Sequence, residues 1–253
     1  MSHRRPIAIL SASLLALAVA GCAAQPDVAT PATTAAPDQP PAGADLASFF
    51  QKYDDAQLSL SPQAKAYRGI RDADYGRWTD VSDEAEVARH TLQQASAAAM
   101  RSSFDPARLS GDEALSFELF NSQAERADSL FAYRDHGYIF DQMNGAQSQL
   151  PAFLINIHRV ANTGEAEAYI ERIRGLGPLL DTLSAQSAER AAKGYAPPKW
   201  VYAYVISDIR NLLKPDNAVI EDIGAKVGKL DIDAAEKARL VAAAKAAWSG
   251  SAG

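Results

Sequence analysis

Few side chains in this 253-residue chain are placed to do chemistry, and most of them stand alone: there is one cysteine, Cys22, and there are four histidines. A catalytic zinc needs three protein ligands and an open position, and a His-Glu-x-x-His helix supplies two of them one turn apart with the glutamate as base. His3, His90, His136 and His158 cannot form that pair, because none has another histidine within a helical turn. His90 follows Glu86 by one turn, the spacing of a surface pair on a helix face. His136 precedes Gly137, where an imidazole can bond the last carbonyls of a helix. His158 stands beside Phe153, Leu154 and Ile157, and it reads either as a partly buried histidine bonded to backbone or as the lining of a cleft. The loop holding Gln142, Asn144, Gly145 and Gln147 combines amides with a glycine able to take positive φ. Those groups suit hydrogen bonds to a peptide or amide ligand and suit a plain turn equally. There is no G-x-S-x-G elbow, no Ser-x-x-Lys in a catalytic setting and no G-x-G-x-x-G or P-loop pattern, so acyl transfer and nucleotide cofactors are unsupported.

Cys22 has a different chemistry. His3, Arg4 and Arg5 form a basic start, and the apolar run from Ile7 to Ala20 has the length of an export signal's core, shorter than the ~20 residues of a spanning helix. The run ends in Val19-Ala20-Gly21-Cys22, which resembles the bacterial lipobox. Residues 1–21 are therefore expected to be a lipoprotein signal peptide, with Cys22 acylated and holding the protein on a membrane. Ala23 is not the aspartate that retains lipoproteins at the inner membrane, so the expected site is the outer membrane, facing the periplasm. Residues 22–44 are rich in Ala, Pro and Thr and cannot bury enough surface to offset their ordering entropy, which makes them a tether. The formal charge is −6 with the basic residues dispersed, which argues against nucleic acid as a partner.

From Asp45 onward nearly every periodic stretch has helical spacing and no run alternates like a strand, so the fold class is all-α over 45–248. Leu46, Phe49, Phe50 and Tyr53 form a stripe behind an Asp45 N-cap, and Ser61-Pro62 starts a second helix. Residues 69–80 read as loop. Ser82 caps a helix to about Ser102, and Ser110 with Glu113 makes a capping box for a helix ending near Gly137. Pro151 is expected to open the next helix, which runs to Val160. Gly175, Gly177 and Pro178 divide two helices, Glu165 to Arg174 and Pro178 to Lys193. Gly194 ends the second, and Pro197-Pro198 restarts the chain as a helix from Lys199 to Leu213. Tyr169, Ile170, Ile173, Leu176, Leu179 and Leu180 are expected in the core. A last helix from Asp233 ends at Trp248, and 249–253 is expected to be a disordered tail.

The loop D-Q-M-N-G-A-Q (Asp141 to Gln147), the turn L-P-A-F-L (Leu150 to Leu154), His158, A-E-A-Y-I-E-R-I (Ala166 to Ile173) and G-Y-A-P-P-K-W-V-Y (Gly194 to Tyr202) together resemble a bacterial family, domain of unknown function 885. Many of its members are lipoproteins. The resemblance implies a multi-helix, zinc-metallopeptidase-like fold, with zinc in the full-length family held by a His-Glu-x-x-x-x-Gly-His-His type motif late in the chain. Nothing like that motif occurs in this sequence. The expectation is the N-terminal half of a zinc-hydrolase-like lipoprotein, truncated and inactive alone, with no cofactor of its own. A gene fragment, a frameshift product and a short paralogue all remain open. Gln142, Asn144, Gly145, Gln147 and His158 would then form one wall of a cleft whose partner is a peptide or a separate C-terminal half. The alternatives are a helical envelope binding module for a peptide or protein, and a purely structural lipoprotein.

Overall fold

The computed structural model describes residues 45–109 and 111–251. The expected signal peptide, Cys22, the expected tether, Ser110 as a cap, Ala252 and Gly253 lie outside them. The described residues fold into helices without a strand: α1 (Leu46–Ser59), α2 (Pro62–Tyr67), α3 (Asp83–Ser103), α4 (Gly111–Phe131), α5 (Ala146–Asn156), α6 (Thr163–Ala192), α7 (Val201–Leu212), α8 (Ala218–Gly228) and α9 (Ala234–Ser251).

The N-terminal helices begin where the sequence signals them. Asp45 Oδ1 accepts from the Ser48 amide at 2.6 Å, and the Ser61 and Ser82 hydroxyls cap α2 and α3 in the same manner. α1, α3 and α4 close over Leu46, Phe49, Met100, Phe117 and Phe120. Edge-to-face contacts between Phe49, Phe50, Tyr53 and Phe120 add to the area they bury. α4 ends at Phe131, earlier than Gly137, and a short 3₁₀ turn over Arg134–His136 follows.

α5, α6, α8 and α9 build the larger cluster, which contains Leu154, Tyr169, Ile170, Ile173, Ile223 and Leu240, all fully buried. Each such aliphatic side chain contributes about 1.5–3 kcal/mol on leaving water. α8 has no counterpart in the sequence reading; its signal is Asn217, whose Oδ1 accepts from the Val219 and Ile220 amides, followed by the core set Val219, Ile220, Ile223 and Val227.

Three expected boundaries move, each for a packing reason. Pro151 does not open α5 but sits inside it, and the helix stops at Asn156, short of Val160. Lys226 accounts for the stop. Its Nζ donates to the carbonyls of Leu154, Ile155 and His158, each at 2.9 Å, and pairs with Asp222 at 2.7 Å. An ammonium from α8 thus satisfies carbonyls that another turn of helix would have used.

The two expected helices around Pro178 are one 30-residue α6. Gly175 is a site of close approach, since a Cβ there would lie 2.9 Å from Trp78 Cδ1. Pro178 cannot donate to the helix, and beside it the Ser251 hydroxyl donates to the Ile173 carbonyl at 2.9 Å. The third shift follows from that bond: α9 runs through Ser249 and Gly250 to Ser251, past the expected end at Trp248. Gly194, by contrast, ends α6 as read, with φ +93°.

Lys226→Met keeps the apolar stem and removes the charge. It is expected to destabilise the fold by about 3 kcal/mol, because buried helix-end carbonyls lose a charged donor. Urea unfolding measures this, and a loss under about 1 kcal/mol would mean that Lys226 does not hold the end of α5.

Candidate functional site

The amide loop is tied to itself. Asp141 Oδ1 accepts from the amides of Met143 and Asn144, both at 2.6 Å, and the Ala146 amide donates to the Ile139 carbonyl at 2.9 Å. Gln142 and Asn144 are exposed, whereas Gly145 and Gln147 are buried. Gly145 has φ −65°, so positive φ is not why glycine stands there. A Cβ at that position would meet Gln147 Oε1 and the Asp141 amide nitrogen, and would lie 2.8 Å from the Asp141 carbonyl oxygen. Gln147 Nε2 donates to the Asp141 carbonyl at 2.5 Å and reaches Asp208 Oδ2 of α7 at 3.4 Å. The loop is thus a turn that locks the start of α5 and carries a link to α7.

Gln147 also lines a cavity of about 190 Å³ enclosed by α5, α6, α7 and α9. Its walls are almost wholly apolar, with Phe140, Leu150, Leu176, Leu180, Leu212 and Trp248 among them. Trp248 is oriented by its Nε1, which donates to the Leu212 carbonyl at 3.2 Å.

His158 lies elsewhere. Gln147 is near the start of the eleven-residue α5 and His158 is just past its end, about 16 Å away along the axis. The five candidate residues therefore do not form one wall: Gly145 and Gln147 come together, Gln142 and Asn144 face solvent beside them, and His158 is fully buried in another cluster. It is not cleft lining.

Its neighbours define its chemistry. Arg172 Nη1 is 2.8 Å from His158 Nδ1, and an arginine can only donate, so Nδ1 accepts and Nε2 carries the proton. Nε2 then donates to the Glu165 carbonyl at 3.1 Å. Burial, then the Arg172 charge, lowers the His158 pKa from 6.5 to about 3. A group that stays neutral throughout the physiological range cannot shuttle protons there.

Arg172 is itself fully buried, and burial lowers its pKa to about 10, which leaves it a cation at neutral pH. Its guanidinium lies 4.7 Å from the Phe153 ring centroid, 5.1 Å from Tyr75 and 5.7 Å from Trp78. Nε donates to the Arg77 carbonyl at 3.1 Å. Aromatic faces thus take the place of a carboxylate. The surrounding groups are bonded in turn, with the Tyr75 hydroxyl meeting the backbone of Arg159 and Trp78 Nε1 donating to the Arg172 carbonyl at 2.8 Å.

Sequence reasoning passed over Arg172, although a signal was present. It falls within the apolar stripe of Tyr169, Ile170, Ile173 and Leu176, and no carboxylate stands three or four residues away on its helix. The other histidines are structural. His90 pairs with Asp128 at 3.2 Å and stacks on Phe131 at 3.9 Å, in place of the Glu86 partner its spacing suggested. His136 packs on Tyr195 at 4.0 Å in the 3₁₀ turn. Among the described residues no group of three or more His, Cys, Asp or Glu side chains is placed to hold a metal ion.

The second feature that sequence reading missed is the outer face of α7. Tyr202, Ile206, Ile209 and Leu213 recur at i, i+4, i+7 and i+11 and are 38–53% exposed. α7 meets the rest of the fold through Val201, Val205, Asp208 and Leu212, the adjacent face. No described helix is long and apolar enough to cross a membrane.

Comparison with known proteins gives a consistent lineage. The family model described as "Bacterial protein of unknown function (DUF885)" matches residues 62–253. A solved structure, "the putative lipoprotein from Colwellia psychrerythraea", shares the fold with a TM-score of 0.60 at 16% identity. The match covers 79% of this chain and 38% of that one, so this chain spans well under half the length of its solved neighbour. Among curated proteins none matches.

The His158 environment has a pH signature. In the unfolded chain the ring titrates near 6.5, so between that pH and about 3 the unfolded state binds more protons and stability falls as pH drops. The expected loss is about 2 kcal/mol on going from pH 7.5 to 5. His158→Gln retains an acceptor for Arg172 without titrating and should flatten that slope. Denaturation at the two pH values decides it, and equal losses in both proteins would overturn the assignment.

Proposed function

This chain belongs to the DUF885 family of bacterial proteins of unknown function, and on that premise we propose that it is a lipid-anchored envelope protein whose helical domain is a docking scaffold for a polypeptide. The observation that carries this reading is the apolar face of α7. A helix normally turns such a stripe toward its own core, and soluble proteins rarely leave a contiguous apolar patch in water unless something binds there. Tyr202, Ile206, Ile209 and Leu213 make such a patch, and Trp200 and Tyr204 stand beside it, also exposed.

The zinc chemistry implied by the family resemblance does not fit the residues at hand. Three ligands on converging elements are needed, and the described histidines lie apart, beside Asp128, Tyr195 and Arg172, with no group of three or more His, Cys, Asp or Glu side chains placed to hold a metal among the described residues. No hydrolytic step is therefore assigned to them. In a protein the length of the solved neighbour, of which this chain covers 38%, further polypeptide is at hand to lie on such a face. That supports a second form of the same reading, in which the partner is the rest of a family domain supplied as a separate chain.

Anchoring rests on Val19-Ala20-Gly21-Cys22 and its preceding apolar run. Acylation of Cys22 would hold the domain on a membrane at the end of the Ala/Pro/Thr-rich tether, and Ala23 in place of an aspartate supports the outer membrane, facing the periplasm. Radiolabelled palmitate fed to expressing cells is expected to label the protein and to leave Cys22→Ala unlabelled and soluble. Label retained by that variant would exclude Cys22 as the acceptor.

The docking face makes its own demand on stability. Ile206→Glu is expected to shift unfolding by no more than about 0.5 kcal/mol, since an exposed side chain outside the core clusters costs little to replace. A loss of 2 kcal/mol or more in a thermal melt would show that this face belongs to the protein's own core.

A further inference from the structure

The loop ahead of α5 contains Asn144 followed by Gly145, the one Asn-Gly pair among the six asparagines of the chain. We propose that Asn144 is a site of spontaneous covalent modification, at which the folded protein loses ammonia and ages into aspartate and isoaspartate forms.

The nucleophile is the main-chain nitrogen of Gly145. After giving its proton to water or hydroxide, it attacks Cγ of Asn144, closing a five-membered succinimide, and the bond to the side-chain nitrogen breaks to release ammonia. Water then adds to either ring carbonyl. Opening at Cγ leaves aspartate on an unchanged main chain. Opening at the main-chain carbonyl carbon leaves isoaspartate, whose backbone runs through the former side chain and is one atom longer. Water is the only co-reactant, and the attack is intramolecular.

The structure selects this asparagine. Among the described residues nothing bonds the Asn144 carboxamide or the Gly145 amide, although the amides of Met143, Asn144 and Ala146 around them all donate. Both reacting groups are therefore unengaged. Asn144 is exposed, so water reaches its carboxamide. Gly145 has no Cβ to shield its nitrogen, and packing keeps it a glycine, because a Cβ there would meet Gln147 Oε1 and the Asp141 amide nitrogen. The other asparagines lack this combination. Asn121, Asn162, Asn211 and Asn217 have bonded side chains, and Asn156 is followed by Ile157, whose branched Cβ crowds the main chain.

The two products act differently on the loop. Aspartate keeps the path of the chain and adds a negative charge ahead of the N-terminus of α5, where the helix dipole accommodates it. Isoaspartate inserts an atom directly before Gly145, where the position of a Cβ is only 2.8 Å from the Asp141 carbonyl oxygen. The Ala146 bond to Ile139 and the links from Gln147 to Asp141 and Asp208 then lose their register.

The test incubates the purified, folded full chain in heavy-oxygen water at mildly acidic and mildly alkaline pH and maps its peptides by mass spectrometry. Asn144 is expected to exchange its side-chain NH2 for oxygen from the water about tenfold or more faster than any other asparagine. The rate should rise with pH, because the attacking nitrogen must lose its proton. Electron-transfer fragmentation should find isoaspartate beside aspartate, since the succinimide yields both. Asn144→Gln, which would need a larger ring, should stay unlabelled. A parallel incubation in urea separates the folded loop from the bare sequence: conversion of the unfolded chain with none in the folded protein overturns the proposal, because the loop then shields the pair. Earlier conversion at another asparagine, or aspartate without isoaspartate, overturns it as well. Urea unfolding reads the consequence for the loop. Asn144→Asp should keep the midpoint of the original chain, and the isoaspartate form, separated by chromatography, should unfold at a lower one. An isoaspartate form with the original midpoint would overturn the claim that the loop has no room for the extra atom.

Discussion

Burial of the Arg172 guanidinium is the constraint around which this domain is arranged. A buried cation without a carboxylate is costly by several kcal/mol unless its donors and its charge are met. Here the Arg77 carbonyl and the His158 ring take two donors, and the faces of Tyr75, Trp78 and Phe153 meet the charge. Those groups come from three places, namely the loop between α2 and α3, the end of α5 and the middle of α6. Nη2 has no hydrogen-bond partner among the described residues, so the aromatic faces meet the charge where bonds do not, and enclosing one side chain brings those elements together. It also explains why a loop of glycines, aspartates and aromatics is packed and hydrogen-bonded: Tyr75 is core, and Trp78 is wedged against Gly175.

A half-buried ammonium extends the arrangement. Lys226 closes the end of α5 from α8, and Tyr169 donates to Asp222, the carboxylate that pairs with Lys226. His158 stands between the two cations, accepting from Arg172 through its ring and from Lys226 through its carbonyl. Burial first, and then the charges of Arg172 and Lys226 that a protonated imidazole would face, hold its pKa far below normal. A histidine with no other histidine nearby, in a stretch matched by the DUF885 family model, invites a functional reading, yet this one is a buried acceptor for Arg172.

The opposite side of α5 has another character. Around Gln147 the described residues form no ionic network, only an apolar cavity and an amphipathic helix held to the fold by its inner face. Local stability follows buried contact, so the Arg172 side is expected to be the rigid part and α7 the part with room to adjust to a partner. A scaffold with one strongly determined side and one lightly held apolar face is suited to binding, because it can order the face when something covers it.

Helical periodicity, caps at Asp45, Ser61 and Ser82, and the stop at Gly194 were legible in the sequence, because they depend on neighbours within one turn of the chain. The apolar stripe of α6 was legible for the same reason. What failed was every inference that needed a distant partner. Gly175 and Pro178 carry the local signal of a break, yet α6 runs through both, with Trp78 packed against Gly175 and the Ser251 hydroxyl bonded to the Ile173 carbonyl. Asn156 carries no stop signal, and Lys226 supplies one from 70 residues away. The candidate residues shared a sequence segment, and α5 carried Gln147 and His158 to opposite ends of itself. Sequence alone determined the helical class and the family, since short-range patterns encode both. Tertiary structure decided that His158 serves Arg172, that Gln147 borders a cavity, and that the outer face of α7 is left in water, because burial and hydrogen-bond partnership are properties of what the folded chain brings together across distance.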